Sequence, residues 1–313
     1  LEVEGLMKEQ FIDWRPSGAS AEIVNAAEAI CRDYYGQGYN LTLRQLYYQF
    51  VARGLIANTT QSYKRLGSIV DSARLAGLLD WSYIEDRTRN VYRTDGADES
   101  PEEAIAATAG GYARALWNDQ PNHVEVWVEK EALAGVIQRA ANEVGVNYFA
   151  CRGYVSQSEM YSSGKRFRLL SQRGKKCTIL HLGDHDPSGI DMTRDIETRL
   201  SMFSGYLDEP DVRRIALNMD QIEELNPPPN PAKQTDSRFA AYLEEYGDES
   251  WELDALDPTT LHDLIVNEVR GLRDEDLWTE AVARQERERR QLTAVSDRWA
   301  EVIDLVDDGG FDD

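Results

Sequence analysis

The amino-acid sequence predicts an α/β protein, with a helical N-terminal region followed by a parallel sheet flanked by helices. Three observations carry this expectation. Apolar residues recur at helical spacing in three successive segments before residue 76. Beyond Val124, short β-rich apolar runs alternate with helical periods, the pattern of a parallel sheet. With 42% apolar and 29% charged residues, a chain of 313 residues is globular and long enough to bury two cores.

Residues 1–18 show no sustained period and read as an arm. In 20–35, Ile23, Ala26, Ala27 and Ile30 fall at helical spacing, and Gly36 and Gly38 end the pattern. Thr42 opens a capping box with Gln45, and Leu43, Leu46, Tyr47, Phe50 and Val51 form an apolar stripe that stops at Gly54. Thr59 or Thr60 caps a third helix, with Tyr63, Leu66, Val70 and Ala73 inward and Gly77 beyond it. Followed by Trp81, Tyr83, Ile84 and the arginine-dotted stretch 87–93, these helices resemble a helix-turn-helix with a wing. The turn-rich stretch 95–101 begins a connection, bridged by a helix over 101–117. Strands are expected at 124–128, 146–150, 178–182 and 214–217, with a helix over 131–143. Four prolines in 226–231 predict an ordered loop or lid without regular structure. A charged helix through 284–290 and Trp299, then an acidic tail over 307–313, close the chain.

Composition limits the function classes. Cys31, Cys151 and Cys177 form no CxxC pair, and His123, His181, His185 and His262 lack paired spacing, so neither a disulfide framework nor a zinc site is expected. No apolar run reaches the roughly 20 residues of a membrane span, and the N-terminus lacks signal-peptide character, so a cytoplasmic protein without membrane contact is expected. The net charge of −22 opposes nucleic-acid binding on its face. The distribution matters more: 32–95 holds nine Lys/Arg against six Asp/Glu, 151–176 seven against one, and 244–313 seven against 22. Most of the acidity therefore lies away from two basic segments. Lys64, Arg65 and Arg74 on the third helix and Lys165, Arg166 and Arg168 in the second segment are candidate contacts to double-stranded DNA, with solvated charge as the alternative. Lys233 and Arg238 are weaker candidates for phosphate.

The candidate reactive centre is acidic. Glu129 follows one predicted strand, and Asp184 and Asp186 follow another, so all three carboxylates lie at C-terminal strand ends, where open parallel sheets bind ligands. Such an oxygen-only set selects Mg²⁺. Gly183 and Gly189 let the backbone turn closely, and Asp191 is a candidate for supporting the ligands. The alternative is that Gly-Asp-His-Asp-Pro-Ser-Gly is an ordinary strand-to-helix turn. Val-Glu-Lys-Glu after an apolar strand, followed about 55 residues later by Gly-Asp-His-Asp-Pro-Ser-Gly-Ile-Asp, resembles the Toprim domain of topoisomerases, primases and certain nucleases.

A second motif precedes it. Arg44-Gln45-Leu46-Tyr47-Tyr48 resembles the Arg-x-x-Tyr-Tyr signature of the topoisomerase VI A subunit and its meiotic double-strand-break relatives, in which the second tyrosine is the nucleophile. That resemblance implies Tyr48 here. Helical geometry separately places Tyr47 on the apolar stripe and Tyr48 on the face of Arg44, one turn earlier. Free tyrosine has a pKa near 10, so attack on phosphorus needs a nearby cation, which Arg44 can supply in part.

The resemblance covers about 42–277 and divides the chain into an arm (1–18), a winged-helix DNA-binding domain (19–97), a Toprim domain with dimerisation elements (98–283), and a charged helix with acidic tail (284–313). It implies a homodimer in which Tyr48 of one protomer faces the Mg²⁺ site of the other, cleaves DNA and forms a 5′-phosphotyrosyl link. Strand passage would need a separate ATPase subunit, since this sequence holds no ATP-binding Gly-rich motif. Two alternatives stay open: a hydrolytic Toprim nuclease using metal-bound water, and a non-cleaving DNA-binding scaffold.

Overall fold

The computed structural model describes residues 8–85, 100–205 and 209–308. The stretch 87–93, expected to form the wing, and residues 309–313 of the acidic tail lie outside them. The chain forms two compact units, one of residues 1–90 and 124–270, the other of 91–123 and 271–313.

The order of elements begins with α1 (Ala19–Gly36), α2 (Leu43–Ala52) and α3 (Thr60–Leu75). Local chemistry sets their starts. The Gln45 amide nitrogen donates to Thr42 Oγ1 at 3.2 Å while the Thr42 amide donates to Gln45 Oε1 at 2.8 Å, the reciprocal box that opens α2. Thr59 Oγ1 accepts from the Ser62 amide and opens α3. Leu46, Phe50, Leu66, Val70, Ala27 and Ile30 are buried among the three helices. Trp81–Tyr83 is a short 3₁₀ turn, and Leu41 bridges Ile84 in parallel.

The helix expected over 101–117 is shorter, since α4 spans Pro101–Gly111. Its Ala-Gly-Gly end lowers helix propensity, and Tyr112 leaves it in an extended conformation. The sheet elements follow: β1 (Asn122–Val128), α5 (Ala134–Val144), β2 (Asn147–Ala150), α6 (Gln157–Gln172), β3 (Lys176–Leu182), α7 (Pro187–Ser204) and β4 (Asp211–Ala216). They form a four-stranded parallel sheet in the order β2-β1-β3-β4, flanked by helices. Trp127 of β1, Phe167 of α6, Ile179 of β3 and Ile196 and Leu200 of α7 pack one core against the sheet. The chain turns back on itself between β1 and β3, because α5 carries it from β1 to one side and α6 then brings it to the other. The crevice at the C-terminal ends of these two strands is thus a switch point, where open sheets bind ligands.

The remaining elements are α8 (Met219–Leu225), β5 (Asn230–Pro231), α9 (Phe239–Tyr246), β6 (Glu249–Ser250), α10 (Pro258–Gly271), α11 (Glu275–Asp297) and α12 (Trp299–Asp308). The proline-rich stretch, expected to lack regular structure, contains β5, which pairs antiparallel with β6. Pro231 has no N–H to donate, but a two-residue strand at an edge tolerates that. In the second unit α4 packs on α11: Arg114 donates to both carboxylate oxygens of Glu288 at 2.8 Å, and Tyr112 Oη donates to the same carboxylate at 2.7 Å. The single helix expected through Trp299 is two, α11 and α12, with Arg298 between them. No described helix is long and apolar enough to cross a membrane.

Candidate functional site

Two of the three predicted carboxylates meet at the switch point. Glu129 leaves the end of β1, where its amide donates to the Leu182 carbonyl at the end of β3. Its Oε2 accepts from the Asp184 amide at 3.0 Å. Asp186 is placed differently, as the N-cap of α7, its Oδ1 accepting from the Gly189 amide at 2.7 Å and from Ser188 Oγ at 3.0 Å. Two glycines make this geometry possible. A Cβ at Gly189 would collide with the Asp184 carbonyl, and one at Gly183 would lie 3.0 Å from Glu129 Oε2. Alanine fits neither place comfortably.

Two further acids and a lysine, quoted in the motifs but not marked as site residues by the sequence, join the site. Lys130 Nζ lies 2.9 Å from Asp184 Oδ2, 2.9 Å from Glu252 Oε2 and 2.6 Å from Asp254 Oδ1. Arg44 of α2 pairs with the same two carboxylates, binding Glu252 and placing Nε 2.9 Å from Asp254 Oδ2. Asp254 is almost completely enclosed, and the Leu253 amide donates to Asp184 Oδ1 at 2.8 Å. Three acids from two distant segments thus share two cations. The signal was present in Trp-Glu-Leu-Asp-Ala-Leu (251–256), but nothing in its spacing points to Lys130 or Arg44.

Burial and mutual repulsion govern the charge. Burial, reinforced by the Asp184 carboxylate, pushes the Glu129 carboxyl up to about 7. Burial likewise raises Asp184, to about 6, against the opposing pull of Lys130. For Lys130, burial disfavours the ammonium, but Asp254, Asp184 and Glu252 outweigh it and its pKa rises. His185, between the two aspartates, is held in an aromatic box with Tyr242, Tyr246 and Trp251. Its Nδ1 lies 2.8 Å from Tyr242 Oη, and burial lowers its pKa to about 4, leaving it a neutral anchor for the loop.

Donor chemistry fits a hard divalent cation, since the ligands are carboxylate oxygens whose buried charge calls for neutralisation. Yet among the described residues no three His, Cys, Asp or Glu side chains are gathered closely enough to hold an ion. Lys130 engages Asp184, and the α7 cap engages Asp186.

Tyr48 lies on the same network. The Arg44 guanidinium is 5.8 Å from the centre of its ring, as the shared helix face predicts. A cavity of about 380 Å³ is lined by Arg44, Tyr48, Tyr63, Asn58, Asn230 and Glu252, among others. The helical wheel places Tyr48 off the apolar stripe, but it is only 3% exposed, against 5% for Tyr47. Elements distant in sequence cover that second face: Asn230 lies 3.5 Å from Tyr48 Oη, and Glu252 closes the cavity. Burial, then Glu252, raises the phenol to about 12, with Arg44 opposing.

The predicted DNA contacts fall into two groups. Lys64, Arg65 and Arg168 are exposed, and Lys165 is half-buried over the Tyr161 ring. Arg74 is turned inward, donating to the carbonyls of Trp81 at 3.1 Å and Ile84 at 3.2 Å and stacking 4.4 Å from the Trp81 ring. Arg166 grips the buried Glu125 with two bonds of 3.1 and 3.0 Å. Both arginines serve the fold in this arrangement. Arg238 donates to Asp191 at 2.7 Å, and Lys165, Arg166 and Arg168 line none of the cavities around Tyr48 or Glu129. Neither a scan against protein-family models nor a search of curated proteins returns a match for this chain.

Proposed function

We propose that this chain cleaves DNA in a Mg²⁺-dependent reaction, as a homodimer of the topoisomerase VI A type, with a winged helix gripping the duplex and a Toprim domain holding the reactive centre. One observation carries the reading. Arg44, one turn before Tyr48, and Lys130, the neighbour of Glu129, converge on Glu252 and Asp254, so the tyrosine helix is tied to Asp184 through charged contacts.

In this reading Glu129, Asp184 and Asp186 would hold Mg²⁺, which would supply positive charge beside the phosphate. Tyr48 Oη gives its proton to solvent water and attacks phosphorus, the bond to the 3′ oxygen breaks and that oxygen takes a proton from solvent, and a 5′-phosphotyrosyl link results. Arg44 stabilises the phenolate. Strand passage is assigned to a separate ATPase subunit.

One observation favours a second reading. Tyr48 is buried and its phenol raised to about 12, an environment that opposes attack in the free chain. A hydrolytic nuclease, in which water replaces the tyrosine and Tyr48 only lines the cavity, meets no such obstacle. Incubating end-labelled duplex DNA with Mg²⁺ and each of two variants separates them. Transesterification leaves protein on the 5′ end and is lost in both Tyr48→Phe and Asp184→Ala; hydrolysis leaves free ends and is lost only in Asp184→Ala. Cleavage by neither wild type nor variants refutes both.

A further inference from the structure

Arg214 on β4 sends its guanidinium into the loop that carries both aspartates. Nη1 donates to the Gly189 carbonyl at 2.9 Å and to Thr193 Oγ1 at 3.1 Å. Nη2 donates to the carbonyls of Gly183 at 3.0 Å, Asp184 at 2.6 Å and Leu217 at 3.3 Å. Three of these five acceptors are backbone oxygens of 183–189. Around the loop, the Gly183 amide donates to Ala216 and the Leu217 amide to Gly183, so β4 and the loop are joined on both sides of the arginine.

We propose that Arg214 is a positioning residue of the acidic site: it fixes the backbone from Gly183 to Gly189, which aims Asp184 and Asp186, and it supplies a permanent positive charge beside their carboxylates. The proposal rests on the reading of these acids as the reactive centre. Arg214 adds donors to the carbonyls of Gly183, Asp184 and Gly189, and buried carbonyls need donors. A planar guanidinium, with donors in a fixed fork, can serve several at once, whereas an ammonium on a flexible stem cannot hold the same set in one geometry. The charge matters as well. Glu129, Asp184 and Asp186 all act on Arg214 electrostatically, and a fixed cation offsets their repulsion before any ion arrives. Unlike Lys130, which pairs with Asp184, Arg214 bonds the backbone of the loop and not the carboxylate oxygens.

Arg214→Lys keeps the charge and removes the fork. Hydrogen exchange by mass spectrometry would compare the peptide spanning 183–190 with peptides of β1 and β2, in the intact chain of 313 residues. Expected are exchange faster by about tenfold in 183–190 with β1 and β2 unchanged, and Mg²⁺ affinity weaker by about tenfold, titrated with MgCl₂ by tryptophan fluorescence. Unchanged exchange in the loop, or an equal rise across all three peptides, overturns the proposal. Should Arg214→Lys fail to fold, Thr193→Val, which deletes one acceptor of Nη1, gives the same test with a smaller change in the same peptide. A wild-type chain that neither responds to Mg²⁺ nor cleaves DNA overturns the functional reading instead, while the exchange result still decides whether Arg214 holds the loop.

Discussion

Replacing Lys130 with methionine keeps the length of the side chain and removes the one ammonium shared by Asp184, Glu252 and Asp254. Deleting one partner of a buried ion pair costs about 3–5 kcal/mol, because the remaining charge is left without compensation. Arg44 still neutralises Glu252 and Asp254, so Asp184 alone loses its cation and the lower end, about 3 kcal/mol near neutral pH, applies. The first unit holds about 240 residues, for which an unfolding entropy of about 0.5 kcal/mol/K converts this to a melting temperature about 6 °C lower. The loss must depend on pH. Asp184 already titrates at about 6, and without Lys130 it takes up a proton more readily still, so the difference between variant and wild type shrinks as pH falls toward 5. Added Mg²⁺ should restore stability more in the variant than in the wild type, because it meets an acid with no competing ammonium. Thermal melts across the pH range, with and without MgCl₂, give all three results. A drop below about 1 °C, or a larger one that does not vary with pH, would show that Lys130 is not the cation that neutralises Asp184.

Other perturbations probe neighbouring parts of the argument. Glu129, with its carboxyl raised to about 7, binds its proton more tightly folded than unfolded, so its contribution to stability is complete below about 4.5 and is lost as pH rises through about 7. Glu129→Gln should therefore melt higher than wild type above that range, by about 1–3 kcal/mol of stability, and a variant less stable at pH 8 would contradict the assigned burial. Gly189→Ala forces a Cβ against the Asp184 carbonyl and should cost about 2–4 kcal/mol while displacing the loop, measurable by urea unfolding and by lost Mg²⁺ response. Arg166→Met removes from Glu125, only 3% exposed, the two bonds that Arg166 donates and should cost about 1–3 kcal/mol; unchanged stability in urea would return Arg166 to the DNA-binding surface. Lys64→Ala and Arg65→Ala should leave stability within about 0.5 kcal/mol, while each lowers the slope of log K against log salt for duplex binding by about 0.9.

The alternation of short apolar runs with helical periods made the parallel sheet legible because strand and helix periods are local properties of the chain. The capping box at Thr42 and Gln45 was equally local, and both of its bonds form. Glycines adjoining the aspartates announced close backbone approach, which the contacts of Gly183 and Gly189 bear out. Local patterns failed where the neighbours came from far along the chain. On its own helix Tyr48 lies off the apolar stripe, but residues 230 and 252 cover it. Arg166 looked like a free cation, but Glu125, 41 positions away in sequence, claims it.

By itself, then, the sequence specified which carboxylates end strands, where the helices of the N-terminal region begin, and that a tyrosine and an arginine share a helix face. Tertiary structure decided which cations gather there: Lys130 on Asp184, Arg44, from a helix some 85 positions earlier, on Glu252 and Asp254, and Arg214, from the neighbouring strand, on the carbonyls of the aspartate loop. The reason is that charge in a buried site is settled by distance and solvent exclusion, and neither quantity exists until segments remote in sequence have packed together.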